Sequence, residues 1–317
     1  MNKEQIDELQ KELQNNLGSR WKVEPTSQVK VGGVKFGFSC SFEGDNASTI
    51  IYPNDYKHML DEGTSMSEVA EYIAQDLTRE RRVLLTSPQT KEDFKEGLFV
   101  QLINTPVNSA LLETAVHDSV IGDISAIARC KVHAPSDDEI VSFIVTKDNM
   151  SLFQMTQSEI MAQAYKNTAN QSFTMQDMRD LILEGLTQAG VPKDMLPDIR
   201  KDEGKEMYVI TNEDRVNGAN AMVCPRLFQD IFKELSEPFY VLPSSTHELI
   251  VVKESIGMPP EDLKQMVHDV NMRECSADEL LSFDIFRYDG KKLSIAMEDT
   301  ETISEAIEKA KSHKLTH

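Results

Sequence analysis

The residues best suited to chemistry lie in the stretch YVLPSSTHELIVV, residues 240–252, between two apolar runs. It contains Ser244, Ser245, His247 and Glu248. A serine beside a histidine that an acid orients is the arrangement of a nucleophilic hydrolase, in which the imidazole accepts the serine proton. Ser245 and His247 are two residues apart, so they point to the same face of a strand. One hypothesis is therefore a hydrolase of unknown substrate centred on Ser245 and His247, with its acid supplied from elsewhere in the chain.

The same stretch also has a structural interpretation, which we favour. Pro243 is expected to end a strand, and Ser244 and Ser245 to bond nearby backbone groups in a turn. His247 then opens the return strand with a hydrogen-bonded imidazole. Catalytic triads are assembled across a fold, so neighbours along one strand are poor indicators of one. We therefore expect a structural turn and assign no catalytic residue.

Sequence motifs of other known chemistries are absent. There is no GxxxxGK[ST], no GxGxxG between a strand and a helix, and no GxSxG. HELIV begins as the zinc motif HExxH does, but Val251 stands where the second histidine is required. The four cysteines form no CxxC pair and are expected to be reduced thiols; they are Cys40, Cys130, Cys224 and Cys275. We expect neither a metal ion nor a cofactor.

The formal net charge is −20 at pH 7. Because phosphate binding depends on lysine and arginine, this charge disfavours nucleic acid and anionic membranes as direct partners. The acidic residues are spread along the chain, so a decoy that imitates nucleic acid requires folding to assemble them into one continuous face. The first residues lack the apolar core of a signal peptide, and no segment approaches the roughly 20 apolar residues of a membrane span. We expect a cytoplasmic protein.

Hydrophobic periodicity predicts helices intermixed with strands. The strongest local signal is the Asp289–Gly290 turn between two apolar runs, and Gly32–Gly33 marks a second hairpin. Residues 207–212 (MYVITN) are predicted to form a strand and residues 225–235 (PRLFQDIFKEL) a helix that begins at a proline. Glycine-rich crossover loops are absent. This pattern favours an α+β fold with mixed helices and largely antiparallel sheets, in two packed subdomains.

The predicted domain boundary is residues 191–205, where prolines, a glycine and many charges occur together. It separates an N-terminal α+β region, residues 1–190, from a C-terminal α+β region, residues 206–317. The division is made on composition.

Helix starts and buried faces are also predicted from local pattern. Capping boxes are expected at Thr156 with Glu159 and at Thr174 with Asp177, each opening a helix. A further helix follows the prolines at 259 and 260. Its positions expected to face the core are Leu263, Met266, Val267 and Val270.

Three segments, MYVITN, NGANAMVCPRL and YVLPSSTHELIVV, resemble a family of uncharacterised bacterial proteins of about this length, a domain of unknown function. Matching segments upstream and downstream extend the resemblance over most of the chain. It implies a shared full-length architecture and no particular activity. The residues that it marks for testing are Asn217, Gly218, Ser244, Ser245, His247 and Glu248. Asn217–Gly218 also has a purely structural explanation as a turn.

These observations favour a non-enzymatic cytosolic binding or regulatory module for a protein partner or a small ligand. The alternatives are the hydrolase centred on Ser245 and His247, and the acidic decoy of a nucleic-acid-binding protein. A buried hairpin at residues 240–252 argues against the hydrolase, and the lack of a continuous acidic face argues against the decoy.

Overall fold

The computed structural model describes residues 1–44, 48–84, 88, 90–132, 141–192, 206–243 and 245–297. Helices alternate with three antiparallel sheets along the chain, which confirms the predicted α+β class. Among the described residues, no helix combines the length and apolar character that crossing a bilayer requires.

Helices and strands are intermixed from one end of the described chain to the other. The α-helices are α1 (Lys3–Leu17), α2 (Lys57–Asp61), α3 (Met66–Leu84), α4 (Lys91–Gly97), α5 (Ser109–Leu112), α6 (Lys147–Phe153), α7 (Gln157–Thr168), α8 (Met178–Gln188), α9 (Pro225–Leu235) and α10 (Pro260–Glu274). Short 3-10 helices lie at Pro53–Tyr56, Gly218–Val223 and Glu254–Ile256. The strands are β1 (Trp21–Lys30), β2 (Gly33–Phe42), β3 (Ser48–Ile51), β4 (Leu98–Asn104), β5 (His117–Ile121), β6 (Ile124–Val132), β7 (Val141–Ile144), β8 (Phe173–Asp177), β9 (Met207–Asn212), β10 (Phe239–Leu242), β11 (Leu249–Lys253), β12 (Phe286–Tyr288) and β13 (Leu293–Ile295).

Contacts along the chain define two compact units. One comprises residues 1–97 and 130–143, and the other comprises residues 98–129 and 144–317. The boundary predicted at residues 191–205 stays a prediction, because all but its first two residues lie outside the described part of the chain.

The first unit is built on a three-stranded sheet in the order β1-β2-β3. β1 and β2 pair along their whole length, from Trp21 opposite Phe42 to Lys30 opposite Gly33, which confirms the hairpin predicted at Gly32–Gly33. Helices α1 and α3 share one apolar core with this sheet. The fully buried side chains of that core include Leu9, Leu13, Phe38, Val69, Ile73 and Leu77.

The second unit contains a six-stranded sheet in the order β13-β12-β10-β11-β9-β8. Its pairings are antiparallel, including that of β8 with β9. The hairpin predicted at Asp289–Gly290 is confirmed, since Tyr288 lies opposite Leu293. β10 and β11 form a second hairpin, so residues 243–248 are its connection.

A separate four-stranded sheet has β6 between β4 and β5, and β7 also pairs with β6. Every residue of β4 is buried. This burial explains the continuous apolar run LFVQLI, because a strand covered on both faces does not alternate in polarity.

The second edge of β4 is completed by side chains. Asn167 Nδ2 donates to the Leu98 carbonyl at 2.8 Å, and the Val100 N–H donates to Thr168 Oγ1 at 3.0 Å. Asn220 acts twice, because its Oδ1 accepts from the Leu102 N–H at 3.2 Å and its Nδ2 donates to the Val100 carbonyl. These bonds are needed because an unpaired buried backbone group is costly. They tie β4 to α7 and to the 3-10 helix Gly218–Val223.

One predicted helix start is confirmed and the other is wrong. Thr156 and Glu159 form the expected capping box of α7. Residues 173–177, however, form β8, and α8 begins one residue later with Asp177 as its N-cap. Pairing with β9, a strand distant in sequence, takes the residues that local pattern placed in the helix.

The predicted core face of α10 is correct in half of its positions. Leu263 and Val267 are buried, whereas Met266 and Val270 are exposed by 36% and 39%. The third buried position is Asn271, whose Nδ2 donates to the Ser282 carbonyl at 2.9 Å. The buried stripe therefore follows a spacing of four residues and includes an amide.

We predict that Asn220→Ala lowers the free energy of unfolding by about 3 kcal/mol, because it leaves the Leu102 N–H and the Val100 carbonyl unpaired, at about 1–3 kcal/mol each. Equilibrium chemical denaturation measures the change. The matched control is Asn170→Ala, at an exposed position, which is expected to change stability by less than about 0.5 kcal/mol. Equal stability of the two variants contradicts this role of Asn220.

Candidate functional site

The connection between β10 and β11 lies against residues 279–284. Ser245 forms an isolated β-bridge with Leu280, and the Thr246 N–H donates to the Glu279 carbonyl at 2.8 Å. The Ser282 N–H donates to the Pro243 carbonyl at 3.2 Å. The connection is therefore held by backbone bonds on both sides of Ser244, which itself lies outside the described residues.

Ser245 and His247 are close, but the bond between them does not involve the imidazole. Ser245 Oγ accepts from the backbone N–H of His247 at 3.0 Å. The ring nitrogen Nδ1 accepts from the Asn217 N–H at 3.3 Å, so the neutral ring carries its proton on Nε2. Nε2 lies 3.8 Å from Glu279 Oε1, and Glu248 is exposed. This geometry is that of a turn, because the acceptor nitrogen of the ring is occupied by a backbone donor.

Gly218 sits where a side chain has no room. The Cβ of an alanine there would collide with the His247 carbonyl and with Thr211 Oγ1, which itself donates to that carbonyl at 2.9 Å. The unusual backbone angle belongs to Asn217, with φ of 56°. In this Asn-Gly pair, therefore, the asparagine makes the left-handed turn and the glycine allows close packing.

A second polar cluster was not predicted from the sequence. Asp123, half-buried in the turn between β5 and β6, accepts from Asn104 Nδ2 at 2.8 Å and from Ser282 Oγ at 2.6 Å. Asn104 also donates to the Leu281 carbonyl at 3.0 Å. Since Ser282 also contacts Pro243, this cluster adjoins the β10–β11 connection.

The partners of Asp123 are themselves buried and bonded. Asn104 and Ser282 have no exposed surface. Asn104 Oδ1 accepts from the Val107 N–H at 3.1 Å, and Ser282 Oγ accepts from the Asp284 N–H at 2.9 Å. Bonds within the protein therefore orient both side chains.

Burial raises the pKa of Asp123 from 3.8 to about 6. The hydrogen bond from Ser282 lowers it, the nearby Asp284 carboxylate raises it, and the bond from Asn104 lowers it. Lys264 Nζ donates to Asp284 Oδ1 at 3.1 Å. Asp123 therefore titrates close to neutral pH, as groups at functional sites often do.

Three of the four cysteines, Cys40, Cys130 and Cys224, are buried, and Cys275 is partly buried. Burial raises the pKa of Cys130 to about 12 and that of Cys224 to about 11, which keeps both as thiols at neutral pH. The described residues also bring no three histidine, cysteine, aspartate or glutamate side chains together in a way that would hold a metal ion.

The Asp123 cluster could not be predicted from the spacing of its residues in the sequence. Asn104 and Ser282 are 19 and 159 residues away from Asp123. The one local signal is an aspartate beside a glycine in a short hairpin turn, which is common in turns of every kind.

One protein-family model covers most of the chain. A model of the family of unknown function DUF5688 matches residues 3–290, so the chain belongs to this family. The resemblance inferred from three sequence segments is thereby confirmed. Comparison with curated proteins and with solved structures finds no match.

We predict that Gly218→Ala lowers the free energy of unfolding by about 1–3 kcal/mol, because the methyl group pushes Gly218 away from Thr211 and from the His247 carbonyl. Gly185→Ala is the control, since a Cβ there has nothing within 4 Å, and this helical position gains up to about 1 kcal/mol. Thermal or chemical unfolding of the two variants compares them directly. A Gly218→Ala variant as stable as Gly185→Ala contradicts the close packing.

We predict that Asp123 makes stability fall as pH rises from 4 to 7. The folded protein keeps this proton up to a pKa of about 6, whereas an unfolded aspartate loses it near 3.8. The difference of about two units corresponds to about 3 kcal/mol. Asp123→Asn is expected to remove this component of the pH profile, measured by chemical denaturation at several pH values.

The control for this profile is Asp214→Asn, which changes an exposed carboxylate. It is expected to leave the pH dependence of stability as in the parent protein. If Asp123→Asn and Asp214→Asn give the same profile, Asp123 does not titrate in the way that its burial implies.

Proposed function

We propose that this protein is a non-enzymatic cytoplasmic module that binds a protein partner or a small ligand. The observation that carries the proposal is the commitment of Ser245 and His247 to backbone groups. A serine nucleophile needs its hydroxyl within reach of a free base nitrogen. In this turn Ser245 Oγ accepts from the His247 N–H, and Nδ1 of the ring accepts from the Asn217 N–H.

The Asp123 cluster supports the same proposal. Its carboxylate is held by two buried donors and adjoins the ion pair of Lys264 with Asp284. A preoriented carboxylate that is only partly buried fits recognition of a partner that donates hydrogen bonds. The net charge of −20 favours partners other than nucleic acid and anionic membranes.

A fluorophosphonate probe, which labels activated serines covalently, tests the absence of catalysis. We expect the folded parent protein to be labelled no more than the heat-denatured protein or Ser245→Ala. Labelling of the parent that Ser245→Ala abolishes overturns the proposal in favour of a hydrolase.

Unfolding of Ser245→Ala and His247→Ala gives an independent test of the same commitment. Each variant is expected to lose about 1–3 kcal/mol, because a backbone N–H in a packed turn loses its acceptor. The control is Ser172→Ala, at an exposed position. Unchanged or increased stability in both variants indicates residues retained for activity instead.

Binding is tested by screening a panel of common metabolites for a shift of the melting temperature. A ligand present at 100 times its Kd adds about 2.7 kcal/mol of stability. A ligand whose shift disappears in Asp123→Asn supports a role of the Asp123 cluster, and turnover of any ligand in the panel contradicts a non-enzymatic module.

A further inference from the structure

Helix α1 covers the outer edge of β1 at the first residues of the strand. Gln14 Nε2 donates to the Trp21 carbonyl at 3.0 Å, and Gln14 Oε1 accepts from the Val23 N–H at 3.1 Å. Gln10 Nε2 donates to the Val23 carbonyl at 3.0 Å. Side-chain amides thus take the place of a neighbouring strand at this end of β1, which is the first strand of its sheet.

Beyond Val23, no group in the described part of the chain bonds the same edge. Residues of an antiparallel strand point their backbone groups alternately toward the partner strand and away from it. The backbone groups of Trp21 and Val23 face away from β2, toward α1. The backbone groups of Pro25, Ser27 and Val29 therefore face away from β2 as well. All three are exposed, and no hydrogen bond to their outward backbone groups is found within the described residues. An open strand edge of this kind is a template for another strand.

The hairpin also carries an exposed apolar face next to the open edge. Phe38 and Cys40 on β2 are buried in the core. The face continues past the core through Phe36, Val34 and Val29, which are 42%, 69% and 38% exposed. Val29 and Val34 lie opposite each other in the hairpin.

We propose that the open edge of β1 pairs, antiparallel, with the same edge of a second copy of this chain. Because α1 occupies the edge at Trp21 and Val23, the residues left for pairing are 25–29. Their centre is Ser27. A two-fold axis there places Ser27 opposite Ser27 of the second copy and gives the isologous interface of a closed dimer.

The charged side chains that flank this segment complement each other in this register. With Ser27 opposite Ser27, Glu24 lies opposite Lys30 of the second copy, and the two-fold axis repeats the pair. In the single chain Glu24 bonds Lys22 at 2.8 Å, with both side chains more than half exposed, and the Lys30 ammonium lies 5.8 Å from the Tyr52 ring centroid. An exposed ion pair such as Glu24–Lys22 is weak and exchanges readily.

The backbone defines how far the pairing extends. Ser27 exchanges two hydrogen bonds with its counterpart, and each Val29 N–H donates to the Pro25 carbonyl of the other copy. Pro25 has no N–H to return, and beyond it stand the glutamines of α1. Pairing joins the two three-stranded sheets into one six-stranded sheet. Because this edge of β1 is then paired in both copies, a dimer forms and not a fibre.

Sedimentation equilibrium of the full chain over a range of concentrations tests the dimer. Glu24→Lys and Lys30→Glu each create two like-charge pairs, and each is expected to weaken dimerisation by about tenfold. The double variant Glu24→Lys/Lys30→Glu is expected to restore it. A parent protein that is monomeric throughout, or single variants that dimerise as the parent does, overturn the proposal.

Cross-linking tests the register. Opposite residues of a hydrogen-bonded antiparallel pair have Cα atoms about 5.5 Å apart, within the range of a disulfide. Ser27→Cys is expected to form a dimer linked through residue 27 when oxidised with diamide. Gln28→Cys lies opposite Thr26 of the second copy and serves with the parent chain as the control. Equal cross-linking of both variants, or cross-linking of neither, overturns the register.

Circular dichroism and thermal melting of each variant confirm that it folds. The altered side chains at positions 24 and 30 lie on the exposed hairpin, so their melting temperatures are expected to match that of the parent. A charge variant that melts lower and also fails to dimerise is replaced by Glu24→Gln, which removes the cross-copy attraction without repulsion and is expected to give an intermediate loss.

Discussion

A strand buried on both faces must find a partner for every backbone N–H and carbonyl, and in β4 this requirement organises much of the second unit. One edge of β4 bonds β6, and the other is completed by Asn167, Thr168 and Asn220. These side chains come from α7 and from the 3-10 helix Gly218–Val223, so both are fixed against β4. The same 3-10 helix begins at Gly218, whose packing against the His247 carbonyl brings β9 and β11 into the arrangement.

The Asp123 cluster begins at the end of this strand. Asn104, the last residue of β4, reaches Asp123 and the Leu281 carbonyl. Ser282 joins the same carboxylate to the turn at Pro243. Buried polar groups are thereby satisfied in one connected network, and the raised pKa of Asp123 is the electrostatic consequence of placing a carboxylate inside it.

Polar side chains bond different groups in the two units. Inside the second unit, Ser245, His247 and Asp123 all bond neighbouring groups of the protein. In the first unit, Gln10 and Gln14 of α1 bond the edge of β1 at Trp21 and Val23. Beyond these residues, no group in the described part of the chain bonds the outward backbone of β1.

Interactions between residues that are close together in the chain could be predicted from the sequence alone. The Asp289–Gly290 hairpin and the Thr156 capping box depend on turn chemistry and on helix termini. The α+β class and the membership of a family of unknown function were also predicted from the sequence. Only the tertiary structure decided that residues 173–177 form a strand and that Asn271, not Met266 or Val270, enters the core. It alone decided the roles of Asn220 and Asp123, because their partners lie 118 and 159 residues away, and no local pattern records which distant backbone group a side chain will satisfy.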